Sequence, residues 1–130
     1  MLFKGKCDDG ERKMLKNILV VEDEPASLEC IGHFLRKEGY RITEARDGVQ
    51  AIKLIEKSRF DLVLTDVRMP RLDGVALATH ILSKLPTIPI IMMTAFPSED
   101  LRPIWGYGIP CLSKPLSLDE LRTNVQRALY

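Results

Sequence analysis

The chain has 130 residues, 45% of them hydrophobic and 28% charged, and a formal net charge of +1. That length suits one domain with its own core, and the near-neutral balance excludes a global field that would recruit nucleic acid or a membrane surface. Cys7, Cys30 and Cys111 are scattered with no CxxC pair, which excludes a disulfide framework and a zinc site and fits a reducing cytoplasm. No apolar run approaches the roughly 18 residues of a membrane helix, and the N-terminal stretch lacks a signal peptide's apolar centre.

Residues 1–13 are polar and charged, with Gly5 and Gly10 and no apolar period, and are read as a disordered tail. The domain is then residues 14–130, and Met14 is an alternative start. From there strand and helix signals alternate. Ile18 to Val21 is a first strand; Leu28, Ile31, Phe34 and Leu35 mark one face of a helix stopped by Gly39. Tyr40 to Ala45 reads as a second strand. Asp47 and Gln50 form a capping box for a helix with Ala51, Ile52 and Ile55 inward. Leu62 to Thr65 is the third strand, and Gly74 opens a helix carrying Val75, Ala78, Ile81, Leu82 and Leu85. Ile90 to Met93 is the fourth strand. Residues 98–105 have room only for a short helix, since Pro97 and Pro103 restrict them. After the run Cys111 to Ser113, Ser117 and Glu120 cap a last helix with Leu118, Leu121, Val125 and Leu129 aligned. Five such units predict an α/β domain, a parallel sheet covered on both faces with right-handed crossovers. There are no internal repeats.

The chemistry gathers at the strand ends. In an open α/β sheet, ligands bind beyond the carboxyl ends of the strands. Glu22 and Asp23 follow the first run, Asp66 the third, Thr94 the fourth and Lys114 the fifth. Adjacent acids beside a third carboxylate repel, and a hard divalent cation such as Mg²⁺, which takes oxygen ligands and bridges to phosphate, relieves that repulsion. Asp66 is the natural nucleophile toward phosphorus. With Mg²⁺ on one phosphoryl oxygen, Lys114 can pair with another and Thr94 can donate to a third. Taken singly, each residue has an ordinary structural reading: a helix-start acid pair, a turn aspartate, a satisfied strand-end hydroxyl, a solvated lysine. The four positions together, in this order, make a phosphoryl-accepting site. His33 and His80 read as surface or core-edge residues, and the Met92-Met93 pair as sheet core.

The phrases Asn17-Ile18-Leu19-Val20-Val21-Glu22-Asp23-Glu24-Pro25, Asp66-Val67-Arg68-Met69-Pro70 with Asp73-Gly74, Thr94-Ala95 and Ser113-Lys114-Pro115 closely resemble the receiver domain of bacterial two-component response regulators. The resemblance runs from about Leu15 to Tyr130. It implies a flavodoxin-like doubly wound five-stranded sheet of order 2-1-3-4-5, with Asp66 phosphorylated by a sensor histidine kinase or phosphotransfer protein. It implies Mg²⁺ on Asp23, Asp66 and the Arg68 backbone carbonyl, with Glu22 acting through water. It also implies a cis peptide at Lys114-Pro115, cytoplasmic location, no direct nucleic-acid or membrane binding, and a possible homodimer on phosphorylation. Such a domain is not an enzyme beyond catalysing its own phosphorylation and dephosphorylation.

Two departures stand out. The family usually has Tyr or Phe three positions before the lysine, as a switch residue, where this chain has Cys111. The spacing from Thr94 to Lys114 is a couple of residues short, which predicts a shortened fourth helix region. Activation would then fall to the Thr94 loop and the segment through Trp105 and Tyr107, with Cys111 either a compact buried hydrophobe or core filler. Arg68 and Phe96, two positions beyond acceptor and hydroxyl, flank the path of an attacking water and predict slow autodephosphorylation. The alternative, an aspartyl-nucleophile phosphatase of the haloacid-dehalogenase type, needs an acid two positions after Asp66, where Arg68 stands. A flavin module needs a Ser/Thr/Gly-rich phosphate loop where Glu22-Asp23-Glu24 stands. No output domain is visible after the last helix, so a single-domain regulator and the receiver of a longer protein both fit.

Overall fold

The computed structural model describes residues 16–96 and 100–130, so the tail expected at residues 1–13 lies outside them. In chain order the elements are β1 (Asn17–Val21), α1 (Pro25–Lys37), β2 (Arg41–Ala45), α2 (Gly48–Lys57), β3 (Leu62–Asp66), α3 (Gly74–Lys84), β4 (Ile90–Thr94), a 3-10 turn (Arg102–Ile104), β5 (Cys111–Ser113) and α4 (Leu118–Leu129). The strands form one parallel sheet in the order β2-β1-β3-β4-β5.

The three inner strands are apolar runs because helices cover both of their faces. Alternate residues go to opposite sides. Leu19, Val21, Val63, Ile90 and Met92 join Ala51, Ile55, Leu77, Ala78 and Ile81 of α2 and α3. Ile18, Val20, Leu62, Leu64, Ile91 and Met93 join Leu28, Ile31, Leu35, Leu121 and Val125 of α1 and α4. Asp66 keeps the parity of Leu62 and Leu64, and Glu22 that of Ile18 and Val20. Both acids therefore start on the α1/α4 side of the sheet.

The helix starts follow their capping residues. Asp47 Oδ1 accepts from Gln50 N at 2.8 Å, and Gln50 Oε1 accepts from Arg46 N at 2.7 Å. Asp73 Oδ1 accepts from Ala76 N at 2.8 Å, and Ser117 Oγ from Glu120 N at 3.3 Å. Asp47, Asp73 and Ser117 each satisfy a donor that the first helical turn leaves open, while Gln50 ties back to the residue before the cap.

Some sequence expectations need correcting. Tyr40 precedes β2 rather than belonging to it, because it completes the end of α1. Gly39 (φ 100°) donates to Arg36 O at 3.0 Å and Tyr40 N to Leu35 O at 3.2 Å, a Schellman pair. Leu118 is exposed, since the buried face of α4 begins only at Leu121. Between β4 and β5 the helical content among the described residues is the single 3-10 turn around Pro103, with Ile104 buried beneath it. Gly106 and Gly108 follow with φ of 92° and 69°, and Trp105 and Tyr107 stand out into solvent beside them. Cys111 is exposed, not a buried hydrophobe or core filler, because β5 turns only its middle residue, Leu112, into the core. Met92 and Met93 are fully buried, His33 is exposed and His80 half-buried, as expected.

Candidate functional site

Four of the predicted residues meet at the carboxyl ends of β1, β3 and β5. The Lys114 ammonium donates to Asp66 Oδ2 at 2.9 Å and also to Glu22 Oε1. A carboxylate oxygen from each of Glu22, Asp23 and Asp66 falls within 4.8 Å of the others. Glu22 is 1% exposed and Asp66 7%, whereas Asp23 opens to solvent. The Lys114–Pro115 bond is cis, as the resemblance implied. In front of Asp23 lies an open cleft lined by Val67, Arg68, Met69, Pro70 and Asp73.

The backbone fixes this arrangement. Glu22 N donates to Ala45 O at 3.0 Å, carrying the β1–β2 pairing one residue past the strand. Lys114 N donates to Thr94 O at 2.8 Å, which does the same for β5 against β4. Val67 N donates to Met93 O at 2.8 Å and Gly74 N to Val67 O at 2.7 Å. α3 thus begins directly against the strand that carries Asp66. A Cβ on Gly74 would sit 2.0 Å from the Asp66 carbonyl oxygen, which is why no side chain stands there.

Sequence reasoning missed Ser27. Its hydroxyl donates to Glu22 Oε1 at 2.9 Å, while Glu24 N reaches Glu22 Oε2 at 3.3 Å. A serine in the first turn of a helix that starts three residues after a strand-end acid is the signal that was available.

Electrostatics divide the two buried acids. Burial lifts Asp66 from 3.8 to about 6 and Glu22 pushes the same way, against the pull of Lys114. Burial is the largest influence on Glu22 too, but hydrogen bonds with Lys114 and Asp66 and the Lys114 charge together outweigh it and hold that carboxyl below its ordinary value. Burial disfavours the Lys114 charge, yet two carboxylates in contact keep its pKa raised. Glu22 therefore holds the charge opposite Lys114, and Asp66 is the strained carboxylate.

Thr94 is buried but engaged elsewhere. Its hydroxyl donates to Phe96 O at 3.1 Å and accepts from Phe96 N at 2.9 Å. It follows the parity of Ile90 and Met92, away from the face that Asp66 continues. The Arg68 guanidinium lies over the Phe96 ring, 5.1 Å from its centroid.

The donor set fits a hard divalent cation. Three carboxylates cluster, two of them paired with one ammonium, and the third, Asp23, is exposed enough to be approached. Such oxygen-rich, partly solvated sites suit Mg²⁺.

Known proteins agree with this geometry. Residues 18–126 match the family model described as the response regulator receiver domain. The transcriptional regulatory protein ZraR of Klebsiella oxytoca is 36% identical over 115 residues, covering 87% of this chain and 26% of its own length. The transcriptional regulatory protein PdtaR of Mycobacterium tuberculosis is 37% identical over 128 residues, covering 96% of this chain and 62% of its own. The chain thus spans less than two thirds of either relative. Among solved structures, the response regulator TrrA of Thermotoga maritima, in complex with Mg²⁺-BeF, superposes with a TM-score of 0.81 at 35% identity, covering 88% of this chain and 100% of that one. The chemotaxis response regulator CheY4 of Vibrio cholerae gives 0.79 at 28% identity, covering 88% and 98%.

Proposed function

This chain belongs to the response regulator receiver domain family, and from that premise we propose that it is switched by transfer of a phosphoryl group onto Asp66. One observation carries the proposal: Asp66 is a buried, electrostatically strained carboxylate, 2.9 Å from the Lys114 ammonium and beside Glu22 and Asp23. The family shows a signalling domain rather than an enzyme acting on other substrates. Self-catalysed transfer and hydrolysis belong to the proposal.

In the proposed reaction a carboxylate oxygen of Asp66 attacks phosphorus, and the bond to the donor breaks. When the donor is a phosphohistidine of a sensor kinase or phosphotransfer protein, the imidazole nitrogen leaves with the electron pair and takes up a proton. Bound Mg²⁺ would supply positive charge to the phosphoryl oxygens; Asp23, Asp66 and the Arg68 carbonyl would hold it directly and Glu22 through water. Lys114 swings its charge from the carboxylates toward the new phosphoryl group. Thr94 reaches that group only after releasing Phe96. A cytoplasmic location and pairing of two phosphorylated copies complete the reading; among the described residues no helix is long and apolar enough to cross a membrane.

Incubation with a small phosphodonor and Mg²⁺ should add one phosphoryl mass to the wild type. It should add none to Asp66→Asn, and none to the wild type in chelator. Equal labelling of the Asn variant would overturn the assignment.

A further inference from the structure

The β3–α3 loop contains a strained turn, and an ion pair from a different loop braces it. Leu72 N donates to Pro70 O at 2.8 Å, and Arg71 between them has φ of 70°. That is the geometry of a γ-turn of the rare, strained hand. Arg71 is the one non-glycine residue with positive φ among the described residues. Such a conformation persists only where the surroundings over-determine it.

Two contacts do so, both from the β2–α2 corner. The Arg71 guanidinium donates to Asp47 Oδ2 through Nη2 at 2.7 Å and Nε at 3.2 Å. The other oxygen of Asp47 is committed to capping α2, so the brace is anchored on a helix start rather than on a free side chain. The second contact is Gly48, where a Cβ would lie 2.4 Å from Leu72 O. The backbone of α2 therefore presses on the turn itself.

The braced turn lies three residues after Arg68 and two before Asp73, in the loop that lines the cleft in front of Asp23. We propose that Arg71 and Asp47 are positioning residues for the divalent cation, holding the β3–α3 loop so that the Arg68 carbonyl stays beside Asp66. The inference rests on the proposed cation site and adds two residues that touch neither cation nor phosphoryl group.

Charge makes the test decisive. Arg71→Gln removes a positive charge near the site, and Asp47→Asn removes a negative one while Asn still caps α2. A field effect alone would tighten Mg²⁺ in the first variant, weaken it in the second and leave the double variant like wild type. A lost brace weakens all three alike.

Calorimetric titration with Mg²⁺ should show roughly threefold to fivefold weaker binding in each single variant, the span of a good surface ion pair. The double variant should be no weaker than the weaker single, and Arg71→Lys should recover most of the affinity. In metal-free protein, amide exchange at Leu72 should speed up in both singles while Gln50 keeps its protection. Arg71→Gly, which relieves the positive φ, should match or exceed wild-type thermal stability yet bind Mg²⁺ as weakly as Arg71→Gln. Wild-type affinity in either single variant, or shifts in opposite directions, would overturn the brace. Asp23→Asn serves as the control: if it leaves Mg²⁺ binding intact, the cation site itself is misplaced and the inference falls with it.

Discussion

Replacing Asp66 by Asn should make the metal-free protein more stable. The wild-type carboxyl is lifted from 3.8 to about 6 by burial and by Glu22. A carboxyl with a raised pKa holds its proton more tightly in the folded state than in the unfolded one. Stability is then lost as pH rises from about 4 through about 6, and the whole penalty is present above that window. A shift of about two units corresponds to about 3 kcal/mol, and the Asp66 side chain is only 10% exposed, so solvent screens little of it. Asn resembles the protonated acid in shape and can still accept from Lys114. The expected gain is about 2 to 3 kcal/mol near pH 8, roughly 10 °C in Tm for a domain of this size. The assay is thermal unfolding of both proteins in chelator, from about pH 4 to pH 8. The gain of the variant should shrink toward zero at the acid end. A variant with equal or lower Tm at the alkaline end, or a gain that does not change with pH, would refute the reasoning.

Mg²⁺ should raise the Tm of the wild type by mass action, by about 2.7 kcal/mol of stability at a hundredfold excess over Kd, and raise that of Asp23→Asn much less; equal shifts would separate the cation from the acid cluster. Tyr40→Phe should stabilise by about 1 kcal/mol, because the Tyr40 hydroxyl is buried with no hydrogen-bond partner among the described residues. Burial, then Tyr130 and Glu38, lift the Tyr40 phenol to about 12, so its proton is held more tightly on folding and wild-type stability falls between about pH 10 and 12. Denaturant unfolding that shows Phe to be destabilising would contradict this. Phe96→Ala should lose phosphate faster than wild type, because it removes the ring that Arg68 covers; an unchanged release rate would show that water enters by another route.

Much of this site was legible because strand parity is a strict rule. Once Ile18 to Val21 and Leu62 to Thr65 read as neighbouring buried strands, the acids that follow them had to emerge at one end, and parity sent Glu22 and Asp66 to the same side. The lysine was legible as the residue that follows the short run Cys111 to Ser113, but three-residue β5 carries too little pattern to fix a face. That brevity also explains the misreading of Cys111. The Thr94 hydroxyl was expected beside Asp66, but a strand-end threonine can satisfy itself on the backbone two residues on, and here it does. Arg71 and Asp47 lie in different loops, and no local pattern announces a pair separated by 24 positions. Tyr40 looked like a strand residue because its aromatic ring suits one, while the Schellman ending that claims it depends on the φ of Gly39.

The seat of Gly74 has a consequence for how much sequence change this domain can absorb. With a methyl group 2.0 Å from the Asp66 carbonyl oxygen, not even alanine fits, and the obstacle is backbone that cannot rotate away. Glycine normally weakens a helix by about 1 kcal/mol relative to alanine, so a library randomised at this codon and sorted for thermal stability would ordinarily drift toward alanine. Here it should return glycine alone, since any larger residue would have to lift α3 off the acceptor strand. The start of α3 and the peptide of Asp66 accordingly behave as a single rigid piece.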